Sequence, residues 1–169
     1  MAARRKIHKQ EIVALDFSAV EVRLSGVEGR GVFAARDIKA GEFVCSLSGR
    51  LVPSSIAQEP DYDRMALQIS DDWWLEEEGH PDDFINHRCD PNLRFSPQGD
   101  FFQALKAIRK GEELFFDYAT SVYFGGWSVE CLCGAPNCRG QIMGFEDLNP
   151  DIQHKILRYA LPFIRQKYE

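Results

Sequence analysis

The chain has no uninterrupted apolar stretch near the roughly 20 residues that a membrane-spanning helix requires. Its basic start, Met1-Ala2-Ala3-Arg4-Arg5-Lys6, has no apolar run behind it, which excludes a secretory signal and predicts a short solvated tail over residues 1–10. A basic excess is missing too: 20 Lys and Arg stand against 26 Asp and Glu, a formal charge of -6. That balance argues against a direct nucleic-acid partner and suits a basic protein or peptide. Internal repeats, low-complexity tracts and a boundary between independent domains are also lacking. Five cysteines make an odd count, and four have a plausible metal role, so no disulfide framework is needed. A soluble intracellular protein, cytoplasmic or nuclear and without membrane association, is the expectation.

With 44% apolar and 12% aromatic residues among 169, the chain can bury one core. From about Glu11 to Tyr118 it consists of short apolar runs broken by turn residues. Val20-Glu21-Val22-Arg23-Leu24 alternates as a half-buried strand does, and Gly29-Arg30-Gly31 turns into Val32-Phe33-Ala34. Residues 65–69, 73–75, 93–95, 101–107 and 114–116 read as further strands, which predicts a mainly β domain. Glu76 to Asp83 reads as an acidic, solvated turn. The tail differs. Asn149-Pro150-Asp151 is a helix start, and Ile152, Ile156, Tyr159 and Phe163 recur on one face, with Pro162 kinking or ending the helix. The expected role is to pack on the domain, with a dimer contact or a groove wall as alternatives.

Cys131, Cys133 and Cys138 have zinc-ligand spacing, with Gly134 and Pro136 to turn the chain between them. Thiolates favour zinc over magnesium or calcium. The fourth ligand is expected upstream at Cys89, inside Asn86-His87-Arg88-Cys89-Asp90-Pro91-Asn92. Its rival, Cys45, lies in a strand-like apolar run and reads as core. A closed four-thiolate site leaves no open position, so this zinc is structural. His87 can be read as a catalytic base, a metal ligand or a core histidine. The constrained polar loop around it favours a ligand-positioning role for Asn86 and His87, since neither has an orienting partner for triad chemistry. Gly29-Arg30-Gly31 lacks the third glycine and the helix of a dinucleotide fingerprint, so a Rossmann site is rejected.

Taken in order, five segments resemble the SET-domain family of protein-lysine methyltransferases. They are Gly29 to Ala34, Ile38 to Glu42, Phe84 to Asn92, Ile108 to Tyr118, and the post-SET-like Cys131 to Gly140. The resemblance covers roughly residues 20–143, and Asn-His-x-Cys-x-Pro-Asn with Glu-Leu-x-x-Asp-Tyr is a specific pair. It implies a mainly β, β-clip fold of small curved sheets with a pseudoknot, an exception to unthreaded topology. It implies a SET domain over 11–120 and a post-SET zinc segment over 121–143, which leaves 144–169 to the C-terminal helix read above from its capping and periodicity. It implies S-adenosylmethionine as cofactor, held by Glu28, Gly29, Arg30, Gly31, Asn86 and His87. Tyr118 takes the place of the family's catalytic tyrosine, Phe116 lines the lysine channel, and Cys89, Cys131, Cys133 and Cys138 hold the zinc.

The implied substrate is a lysine of a protein or peptide, a histone tail or another basic protein. Phe116, where the family carries Phe or Tyr, implies room for an already methylated amine, hence di- or trimethylation. Arg88 departs from the usual Ser. Beyond Gly140 there is no Trp of the kind some members carry, which leaves Phe145 or Met143 to cover the cofactor. No cysteine-rich segment precedes Gly29, so a minimal, stand-alone version is expected. Tyr62, in the poorly aligned segment 52–63, stays unassigned. The competing readings are a catalytically idle SET-like module and a zinc-stabilised scaffold without cofactor. A homodimer through the terminal helix is one option for an open oligomeric state.

Overall fold

The computed structural model describes residues 14–59, 61–62 and 64–168, so the basic stretch 1–10 lies outside the described residues. Twelve short strands follow one another: β1 (Val20–Leu24), β2 (Arg30–Ala34), β3 (Phe43–Ser46), β4 (Arg50–Pro53), β5 (Ala66–Gln68), β6 (Trp73–Glu76), β7 (Asn86–His87), β8 (Leu93–Phe95), β9 (Phe101–Ala104), β10 (Glu113–Phe116), β11 (Ser128–Glu130) and β12 (Gln141–Met143). They form four small sheets, ordered β1-β2-β10-β7, β3-β9-β8, β4-β6-β5 and β11-β12. The mainly β expectation holds. Among the described residues no helix is long and apolar enough to cross a membrane.

Most pairs are antiparallel hairpins or returns, but β7 runs parallel to β10, with Asn86 opposite Phe115 and His87 opposite Phe116. Two segments far apart in sequence therefore end side by side. The apolar sides of three sheets meet in one core, where Val32, Val44, Ile85, Leu93, Phe102 and Leu114 are each at most 2% exposed. β1 is less buried than its alternation predicts. It pairs only with β2, and Leu24 is left exposed at the sheet edge.

The acidic run Glu76 to Asp83 is not the plain solvated turn its composition suggests. Glu76 closes β6 and is buried, paired with the Arg50 guanidinium and accepting from the Tyr62 hydroxyl at 2.7 Å. Pro81–Phe84 forms a 3-10 turn in which Asp82 is buried. Composition gives the average exposure of a segment; the pairing of two individual carboxylates overrides it.

The tail starts where expected: the Asn149 side chain accepts from the Asp151 N–H at 2.8 Å, and Pro150 opens a helix over Pro150–Ile156. It is broken sooner than one continuous helix would be. A 3-10 turn, Leu157–Tyr159, follows, and Pro162 begins a second short helix, Pro162–Arg165, instead of kinking the first. Ile152, Ile156 and Phe163 are half-buried against a second cluster, whose fully buried members are Ala119, Phe145, Ala160 and Ile164. Truncating Ile164 to Ala should cost about 2–5 kcal/mol of unfolding free energy in urea titration. A loss below about 0.5 kcal/mol, the size of a neutral surface change, would mean that the tail is not part of the cooperative unit.

Candidate functional site

The parallel pairing sets the site. It extends past the two-residue strand, because the Arg88 N–H donates to the Phe116 carbonyl and the Asn92 N–H to the Phe115 carbonyl, at 3.1 and 3.2 Å. Asn92 adds a side-chain clamp, its Oδ1 accepting from the Phe115 N–H and its Nδ2 donating to the Glu113 carbonyl, both at 2.8 Å. This satisfies backbone groups that so short a strand leaves open. It also brings Asn86 and His87 against Phe116-Asp117-Tyr118.

Asn86 reaches the first turn. Its Nδ2 lies 3.2 Å from the Glu28 carbonyl and 3.0 Å from the Arg30 carbonyl. Gly29 holds a positive φ of 46°, which glycine adopts without strain. At Gly31 a Cβ would fall inside the Glu113 carboxylate, which itself accepts from the Ser25 hydroxyl at 2.6 Å. Glu28, Gly29 and Arg30 are exposed while Gly31 is buried, so the loop faces open space from a fixed base.

His87 is buried, and burial lowers its pKa to about 4 against the pull of Asp117, so the ring is neutral near pH 7. Its Nδ1 accepts from the Tyr118 N–H at 3.2 Å, which assigns the proton to Nε2, 3.3 Å from the Cys89 sulfur. Tyr118 donates its hydroxyl to the Ile85 carbonyl at 3.1 Å, and burial pushes the phenol above its ordinary pKa. It is therefore a neutral hydrogen-bonding group and no ready base. Phe116 packs on Tyr118, Phe102 and Phe95, with ring centroids 4.8, 5.1 and 5.4 Å away. A cavity of about 110 Å³ opens beside them, lined also by Leu47, Leu67 and Ile85.

Behind this centre lie the thiols. Ligand atoms of His87, Cys89, Cys131 and Cys133 all lie within 4.8 Å of one another, and the sulfurs of Cys89 and Cys131 are 3.8 Å apart. Such a group can hold a metal ion. Cys138 packs beside this cluster, with its sulfur accepting from the Gly140 N–H at 3.4 Å, while the Arg139 N–H points at Cys89 at the same distance. Burial pushes the Cys89 thiol up, and Cys131 to about 11, so nearby positive charge is needed to ionise them near neutral pH. Cys45 is elsewhere, wholly buried in β3 as a core thiol.

Two groups were not singled out from sequence. Arg139 grips Asp117 with two hydrogen bonds, 2.6 and 2.7 Å, and Asp117 is only 1% exposed. The pair ties the cysteine segment to the residue before Tyr118. Its only sequence signal was position, Arg139 after a candidate ligand and Asp117 between two site aromatics. Phe145, one of two candidates to cover a cofactor, is instead fully buried in the tail cluster, while Met143 is half-buried.

Residues 29–119 match the SET domain family model. The chain belongs to the SET-domain family. A human histone-lysine N-methyltransferase 2B is 34% identical over 136 residues, 72% of this chain and 5% of that protein. A Candida albicans histone-lysine N-methyltransferase, H3 lysine-36 specific, is 33% identical over 72% of this chain and 16% of its own length. A Plasmodium falciparum variant-silencing SET domain-containing protein is 31% identical over 70% of this chain and 5% of its own length. The SET chain thus spans a small part of these relatives.

Removing one partner of the SET domain's buried ion pair strands the other. Arg139→Met should cost about 3–5 kcal/mol of stability, with Asp117→Asn in the same chain restoring part of it. Equal unfolding midpoints for Arg139→Met and wild type would show that the pair does not hold the two segments together.

Proposed function

We propose that the chain transfers methyl groups from S-adenosylmethionine to the side-chain amine of lysine in a protein substrate, a histone or another basic protein. The observation that carries this reading is the cavity at Phe116 and Tyr118, on and just after the strand that pairs with Asn86, whose side-chain amide in turn reaches the open Glu28–Gly31 turn. The names of the relatives, histone-lysine N-methyltransferases among them, support the substrate class, and the charge of -6 suits a basic partner.

S-adenosylmethionine would supply a methyl group activated on a sulfonium. The residues that would hold it are Glu28, Gly29, Arg30 and Gly31 with Asn86 and His87; Asn86 fixes the turn, and His87 fixes the backbone of Tyr118. Their fit rests on the exposed loop and on the glycine at 29, where a Cβ would meet no atom within 4 Å. A free lysine has a pKa of about 10.4, yet only its neutral amine attacks. Leu47, Leu67, Ile85, Phe102 and Phe116 give the cavity apolar walls, which disfavour the ammonium. The same walls hold the amine in line with its target, and that orientation is worth several kcal/mol of barrier, of order 7–11 at best. Tyr118 orients the amine with a hydroxyl already fixed by Ile85. Phe116 offers no hydroxyl to anchor a water, which leaves space for an amine that carries methyl groups, so the product is di- or trimethyl-lysine.

For the metal we propose a structural zinc on Cys89, Cys131, Cys133 and Cys138. The hydrogen bonds of His87 favour Cys138 over it as fourth ligand, because its Nδ1 accepts from Tyr118 and its Nε2–H faces Cys89. Metal analysis of the purified chain should find one zinc, lost in Cys138→Ser and kept in His87→Gln; the reverse pattern would move the histidine into the ligand set.

Tritium transfer from S-adenosylmethionine to core histones and lysate proteins tests the activity. Tyr118→Phe should lower the rate by roughly 10²-fold, on the scale of a lost positioning group. Phe116→Tyr should shift products toward monomethyl-lysine by mass spectrometry. Cofactor binding without any transfer would leave the chain as an idle SET-like module.

A further inference from the structure

The cavity beside Tyr118 contains a polar group that the chemistry above leaves unused. Pro81 opens the 3-10 turn, and the residue after it, Asp82, is 9% exposed. Its carboxylate accepts from the Ser48 backbone N–H at 2.7 Å and from the Ser48 hydroxyl at 2.6 Å. Both residues line the cavity together with Phe116, Tyr118, Ile85 and Phe102. Two donors leave a carboxylate with accepting capacity to spare. Among the described residues no Lys, Arg or His nitrogen comes within 4.0 Å of it.

A buried carboxylate without a cation is costly and is usually paired. Burial raises the proton affinity of Asp82 while the Ser48 hydrogen bonds oppose the rise. The other carboxylates at this cavity have different occupations. Asp83 accepts from the N–H groups of Glu78, Gly79 and His80 and so holds the turn together. Glu77 lies 3.8 Å from the Arg64 guanidinium. Asp82 alone is both buried and without a cationic partner.

We propose that Asp82 receives the cationic end of the substrate lysine and is the residue by which the cavity selects lysine over an uncharged chain of the same length. The inference rests on the lysine-methyltransferase reading of this cavity. Capture of the ammonium is a binding step and precedes release of its proton to solvent water; a carboxylate favours the charged amine and the apolar walls favour the neutral one, so Asp82 acts on the first step and the walls on the second. The arrangement also explains why a buried carboxylate without a cationic partner is kept beside Phe116 and Phe102.

The test is a binding cycle on protein loaded with S-adenosylhomocysteine, so turnover does not enter. The probes are a peptide spanning the lysine that the wild type methylates in core histones or lysate proteins, and its copy with norleucine at that position. In calorimetric titration the wild type should prefer the lysine peptide by about tenfold or more, as expected for a charge-assisted hydrogen bond. Asp82→Asn should lose that preference while binding the norleucine peptide within about twofold of wild type, and Asp82→Glu should recover part of it. Equal weakening of both peptides, or an unchanged preference in Asp82→Asn, overturns the proposal. Should Asp82→Asn fail to fold, Asp82→Ser is measured in its place, and the same loss or retention of preference decides. Transfer by the wild type with unchanged preference in the variant removes this proposal alone, whereas no transfer to histones or lysate proteins removes the methyltransferase reading with it.

Discussion

Two residues of parallel pairing, Asn86 and His87 against Phe115 and Phe116, hold the candidate site together. So short a ladder contributes little by itself. It is reinforced by the Asn92 clamp, by the hydrogen bond from the Tyr118 N–H to His87, and by the buried grip of Arg139 on Asp117. Each of these ties one motif to another far away in sequence. The Glu28–Gly31 turn, Tyr118 and the cysteine cluster are thus three sides of one joint.

The cost of building the joint is electrostatic. A neutral histidine, an ion pair and several thiols are taken out of water together, and Asp82 is buried at the wall of the cavity. Burial of such groups is unfavourable unless each is partnered. The partners are visible for His87 and Asp117. For the thiols the proposed partner is a metal ion, and for Asp82 the proposed partner is a substrate cation.

Much of this was legible in the sequence. Strands over 93–95 and 114–116 follow from apolar runs bounded by turn residues, and the helix start at Asn149-Pro150-Asp151 follows from capping chemistry. The clustering of Cys89 with Cys131 and Cys133 follows from thiol spacing and from the polar motif around Cys89, whereas Cys45 sits in an apolar run. What the pattern could not supply was long-range pairing. β7 is too short for any periodicity, and nothing local in Glu76 to Asp83 separates the buried Glu76 and Asp82 from their exposed neighbours. Arg139 reads as an ordinary surface cation until Asp117 is seen across from it. The tail shows the opposite error: its apolar repeat is real, but Pro162 starts a second helix and the deepest positions fall on Ala160, Leu161 and Ile164.

The most direct test of this account is a crystal structure of the chain with S-adenosylhomocysteine and its native metal. The account predicts the nucleoside against Glu28 to Gly31 and Asn86, the sulfur facing the Phe116–Tyr118 cavity, and a zinc ion among the cysteines behind His87. A product molecule bound away from that turn, or a cavity that does not open toward its sulfur, would contradict the claim that this joint is where methyl transfer occurs.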